Sequence, residues 1–68
     1  MIHLTINGNP RHFEVPQLTV GELVAKLGLE GKRLAIERNG EIVPRGLFKQ
    51  TPLATGDKLE IVGAVGGG

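Results

Sequence analysis

Hydrophobic and polar residues alternate at both ends of the chain and follow a helical period near the middle. Ile2, Leu4 and Ile6 alternate with His3, Thr5 and Asn7, the period of a half-buried strand. Phe13 and Val15 alternate with His12 and Glu14 and predict a second strand. A two-residue turn on Gly8-Asn9 places glycine where a type II′ hairpin wants it. That register sets Leu4 against Phe13 and Ile2 against Val15 on one face, with His3 opposite Glu14 on the other. Thr19 stands three residues before Glu22, the spacing of a capping box, and Leu18 can staple onto Leu23. Val20, Leu23, Val24 and Leu27 then form one apolar stripe, so a helix is predicted from Val20 to Leu27. Gly28 is its left-handed C-cap, with Leu29 folding back onto the last turn.

Leu34 to Arg38 reads as a third strand and Asn39-Gly40 as a type I′ turn. The return strand, Glu41 to Val43, stops at Pro44. In this register Ile36 meets Val43 on the core face and Glu37 meets Ile42 on the other. Residues 45–53 are irregular with room for a helical turn, and Leu47, Phe48 and Leu53 are expected to close the bottom of the core. Thr55-Gly56-Asp57 turns the chain into a last strand, Lys58 to Val62, with Leu59 and Ile61 facing inward. The order is β-β-α-β-β-β. One amphipathic helix must cover one face of one mixed sheet, and a central last strand can pair in parallel with the first. The expected fold is α+β, a β-grasp (ubiquitin-like) sheet over residues 1–62, followed by a flexible glycine-rich tail, 63–68.

Composition narrows the chemistry. The chain has 68 residues and no cysteine, so disulfides, thiolate metal sites and thiol nucleophiles are excluded. Net charge is +1 with both signs interspersed, which argues against nucleic acid and anionic membrane as partners. No apolar run approaches the ~20 residues of a membrane span. A soluble, cytoplasmic domain is expected. His3 and His12 fall on the outward face without further ligands and read as solvated strand positions, so no metal site is expected. Glu37, Glu41 and Glu60 read as a solvated face, and Arg38 and Arg45 as surface charges able to steer an acidic partner. No Ser/His/Asp set and no phosphate-cradling loop is present, and the chain reads as a non-enzyme with no catalytic residue.

The tail is different in kind. Residues 63–68 carry no charged side chain and nothing larger than valine, and they close on Gly66-Gly67-Gly68. Fully extended, such a segment reaches about 20 Å. The candidate functional group is the α-carboxylate of Gly68. With an ordinary pKa of about 3.3–3.7 it is an anion at neutral pH and a poor acyl electrophile until activated.

Asn39-Gly40-Glu41-Ile42-Val43-Pro44-Arg45, then Leu53-Ala54-Thr55-Gly56-Asp57-Lys58-Leu59-Glu60-Ile61, then Gly67-Gly68 together resemble the ThiS family, the small sulfur carriers of thiamine biosynthesis. The resemblance covers essentially the whole chain. It implies that a ubiquitin-activating-enzyme-like (E1-like) adenylyltransferase uses ATP to adenylate Gly68. A persulfide donor fed by a desulfurase then leaves a thiocarboxylate, and thiazole synthase takes the sulfur. The carrier itself binds no cofactor. Gly66 and Gly67 are expected to thread partner channels, and Ile42, Val62, Ala64 and Val65 to form a docking patch. Alternatives on the same terminal chemistry are a carrier for molybdopterin or tRNA thiolation, or a ubiquitin-like modifier of lysines. A plain interaction module with an inert tail is the alternative of another class.

Overall fold

The computed structural model describes residues 1–63; the rest of the chain lies outside the account below. Its elements are β1 (Ile2–Ile6), β2 (Asn9–Phe13), α1 (Val20–Lys26), β3 (Leu34–Arg38), β4 (Glu41–Ile42), a 3₁₀ helix (Arg45–Gln50) and β5 (Lys58–Gly63). The five strands form one sheet in the order β2-β1-β5-β3-β4, with β5 parallel to β1 and antiparallel to β3. This is the β-grasp arrangement expected from the pattern, and the last strand occupies its centre.

The helix begins and ends as its sequence dictates. Thr19 accepts the Glu22 N–H (3.1 Å), and the Glu22 carboxylate accepts the Thr19 N–H (2.8 Å). The Val20 N–H, free of any intrahelical partner, donates to the Thr51 carbonyl (2.9 Å). At the other end Gly28 N–H donates to Ala25 and Leu29 N–H to Val24, the two bonds of a Schellman motif, with Gly28 at φ +72. Leu27 is the C-cap, one residue later than the last helical position. Val20, Leu23 and Val24 are buried in one cluster with Leu4, Ile36, Leu59 and Ile61 of the sheet. Fully burying side chains of this kind stabilises by about 1.5–3 kcal/mol each.

Three expectations are corrected. The first hairpin turns on Asn7-Gly8, with φ of 50 and 82, as a type I′ turn. Its register is Ile2↔Phe13, His3↔His12 and Leu4↔Arg11, two residues from the predicted one. An even shift leaves every side chain on its predicted face. It changes the partners, and His3 faces His12 rather than Glu14. Phe13 and Val15 consequently end at the core margin, half-buried. Second, Leu47 does not plug the core and is 45% exposed, while Leu53 is buried and Phe48 packs against the core. A 3₁₀ helix has about three residues per turn, so adjacent Leu47 and Phe48 point a third of a turn apart. Third, β4 is only Glu41–Ile42, although the Val43 N–H still donates to Ile36 (2.8 Å), as the predicted register requires. At the far end β5 runs one residue beyond Val62, to Gly63.

Candidate functional site

The strand that leads into the tail is held on both sides. β5 pairs with β3 along five residues, from Arg38↔Leu59 to Leu34↔Gly63. Its parallel pairing with β1 is short, Thr5↔Lys58 and Ile6↔Leu59. Asn7 extends that ladder from within the turn. Its N–H donates to the Leu59 carbonyl (2.8 Å), its side-chain amide donates to the Ile61 carbonyl (2.9 Å), and its side-chain oxygen accepts the Ile61 N–H (2.7 Å). One side-chain amide thus takes the place of the next peptide of β1.

Asn39 does the corresponding work across β5. Its N–H donates to the Lys58 carbonyl (2.8 Å) and its side-chain oxygen accepts the Lys58 N–H (2.9 Å). Its side-chain NH₂ donates to Asp57 Oδ1 (3.0 Å). Asp57 Oδ2 accepts from Arg38 Nε and from the Ala54 N–H, both at 2.8 Å. Burial alone would push this carboxyl upward. The Ala54 N–H, the Asn39 amide and the Arg38 guanidinium together outweigh burial and hold it below its ordinary value. Arg38, expected as a free surface charge, is therefore committed to Asp57. The sequence reading missed the roles of both asparagines and of Asp57. The available signal was an asparagine in front of each turn glycine.

The face of the sheet away from α1 presents the other candidates. Ile42 and Val62 are exposed, 64% and 57% respectively. Ile42 lies beside Glu37, and Val62 beside Ala35, so β3 runs between them. They share a face without touching one another's row. Glu37 also pairs directly with Glu60. Like charges directly opposite destabilise a sheet, so this row is held at a cost to the fold. Gly63 is exposed at the end of β5 with open space where a Cβ would stand. Ala64, Val65, Gly66, Gly67 and Gly68 lie outside the described residues.

The pattern that defines the ThiS family matches residues 4–68. The chain belongs to the ThiS family. The sulfur carrier protein ThiS of Bacillus subtilis is 35% identical over 65 residues, covering 96% of this chain and 98% of that protein. The crystal structure of a thiamine biosynthesis protein (ThiS) from Geobacter metallireducens superposes with a TM-score of 0.85 at 33% identity, covering 98% of this chain and all of that one. A thiazole synthase of Paramagnetospirillum magneticum is 46% identical over 65 residues. This ThiS-family chain spans only 20% of that synthase's length. Among the described residues no helix is long and apolar enough to cross a membrane.

Proposed function

We propose that this ThiS-family chain is a sulfur carrier for thiamine thiazole synthesis and that Gly68 carries the sulfur. The observation that carries the reading is the central strand. β5 is clamped from both sides and leads directly into a segment without bulky side chains. A strand fixed in this way, followed in sequence by small residues, suits a carboxylate that another protein's active site must enclose.

The chemistry then belongs to partners. A carboxylate oxygen of Gly68 attacks the α-phosphorus of ATP in an E1-like enzyme and pyrophosphate leaves. The terminal sulfur of an enzyme persulfide attacks the acyl-adenylate and displaces AMP. A second thiol attacks the partner's sulfur in the resulting acyl disulfide, which leaves the thiocarboxylate on Gly68 and a disulfide between the two thiols. The chain contains no cysteine, so both thiols must come from partners, a desulfurase system among them. A thiazole synthase takes up the sulfur. The Paramagnetospirillum relative supports that pairing, because a carrier-like segment and a protein named thiazole synthase share one polypeptide there. Glycine at 66, 67 and 68 lets the backbone pass a narrow channel in conformations closed to other residues.

Docking falls to the open face. Ile42 and Val62, continued by Ala64 and Val65, supply apolar contact, and the Glu37–Glu60 row favours a cationic patch on the partner. The experiment is reconstitution with an E1-like adenylyltransferase and ATP, read as pyrophosphate release. Deletion of Gly67-Gly68 is expected to abolish release with the thermal midpoint unchanged. Ile42→Thr, which adds no charge opposite Glu37, is expected to weaken partner binding, again with the midpoint unchanged. Undiminished release by the deletion variant contradicts the proposal.

A further inference from the structure

The corrected register of the first hairpin brings the chain's two histidines together. His3 of β1 and His12 of β2 are direct cross-strand partners on the open face, with ring centroids 5.8 Å apart. Both residues are exposed. The His3 N–H donates to Thr55 Oγ1 (3.1 Å), and its carbonyl accepts the Gly56 N–H (2.8 Å). Both backbone groups therefore point away from β2. The pair is of the non-hydrogen-bonded kind, with Cα atoms about 4.5 Å apart and side chains closer than in the alternate kind.

We infer that His3 and His12 form a two-imidazole chelate for a divalent transition cation of the zinc, copper or nickel type. Imidazole nitrogen suits these ions. A cation about 2.0–2.1 Å from a ring nitrogen lies roughly 3.2 Å from that ring's centre, so two rings bound at a tetrahedral angle have centres about 5.2 Å apart, and at wider angles up to about 6.4 Å. The observed 5.8 Å falls inside that span. Two strands of one hairpin fix both ligands in advance, so binding costs little ordering of the backbone. The nearest charged side chains are exposed: Glu14 stands two residues after His12, and Lys58 lies beside Thr5 on the face of the two histidines. Arg11 lies on the opposite face of β2, its guanidinium 5.7 Å from the Phe13 ring. Leu4, Thr5, Pro10, Arg11, Thr55 and Gly56 line the same shallow depression as the two histidines, and Arg11 is the one charged residue among them. Among the described residues no group of three or more histidines, cysteines or carboxylates gathers anywhere. Water, or a ligand from outside the chain, therefore completes the coordination.

The site is independent of the tail. β1 and β5 are parallel with Thr5 beside Lys58, so His3 sits at the start of the sheet and Gly63 at its far end. Seven strand residues separate these levels by about 23 Å.

The test is a Zn²⁺ titration of the full chain, followed by imidazole ¹⁵N shifts and by calorimetry. His3 and His12 are expected to shift together in one saturable step. His3→Gln and His12→Gln, both at exposed positions, should each lose more than the roughly tenfold that removal of a mere supporting partner costs a metal site. Zn²⁺ should raise the thermal midpoint of the parent chain and of neither variant, because a ligand specific to the native state stabilises it. Deletion of Gly67-Gly68 should leave the affinity unchanged, which separates this site from the carrier reading. Binding that survives either single substitution, that disappears with the deletion, or that is no tighter in the parent than to free imidazole overturns the proposal.

Discussion

The molecule contains two Asn-Gly turns of the same backbone type that grip the same strand by different chemistry. Asn7-Gly8 joins β1 to β2 and Asn39-Gly40 joins β3 to β4, and all four residues have positive φ. Both asparagines donate a backbone N–H to β5 and bond it again through the side chain. Asn7 holds Ile61, two residues before the end of the strand, with a neutral amide alone. Asn39 holds Lys58 at its start and is itself held by the buried Asp57 carboxylate. One clamp is peptide mimicry and the other depends on a charge. The central strand is thereby fixed at both ends, although its ladder with β1 is only two residues long.

The difference can be tested. Asp57→Asn should have the largest effect, because it removes a charged acceptor from three donors. Hydrogen bonds to charged groups contribute about 1.5–3 kcal/mol. In a domain of this size that corresponds to a fall in thermal midpoint of roughly 10 °C or more. The same clamp should be the acid-sensitive one. The Asp57 carboxyl is held below its ordinary value in the fold, so its stabilisation is complete above the unfolded value. It is lost as pH falls through the folded value. Amide protection factors measured down that range should fall at Lys58 before Ile61, and a simultaneous fall would erase the distinction between the clamps. Asn7→Gly, which keeps the turn conformation, removes only the two neutral bonds to Ile61. A loss of about 1–2 kcal/mol in chemical denaturation is expected, insensitive to acid. The smallest effect belongs to the glycines. Gly8→Ala and Gly40→Ala should each cost about 1 kcal/mol for a left-handed residue with a Cβ, and equally, since neither glycine has a neighbour within contact distance.

The comparison also shows what could be read from the sequence. Asn39-Gly40 was legible because alternating strands flank it and no competing turn fits. Asn7-Gly8 was read one residue late, since Gly8-Asn9 satisfies another turn type and gives both Phe13 and Val15 an apolar partner. The bonds that favour Asn7 reach Ile61, 54 residues away, and local pattern carries no trace of them. Helix, strand order and central β5 were legible because one apolar stripe and four alternating segments admit few topologies. Asp57 reads only as a turn residue until Arg38 and Asn39 are brought to it. The placement of Ile42 and Val62 on the open face followed from strand parity, whereas the His3–His12 pairing depended on the register that was missed.

All of this structure serves the claim that Gly68 carries sulfur, and mass spectrometry of the intact protein from its native host addresses that claim most directly. The account predicts a fraction whose mass corresponds to one oxygen replaced by sulfur, localised by fragmentation to Gly68 and increased when the thiazole synthase is absent. A Gly68 carboxylate left wholly unmodified when the thiazole synthase is absent but the adenylyltransferase and the sulfur donor are present would contradict it.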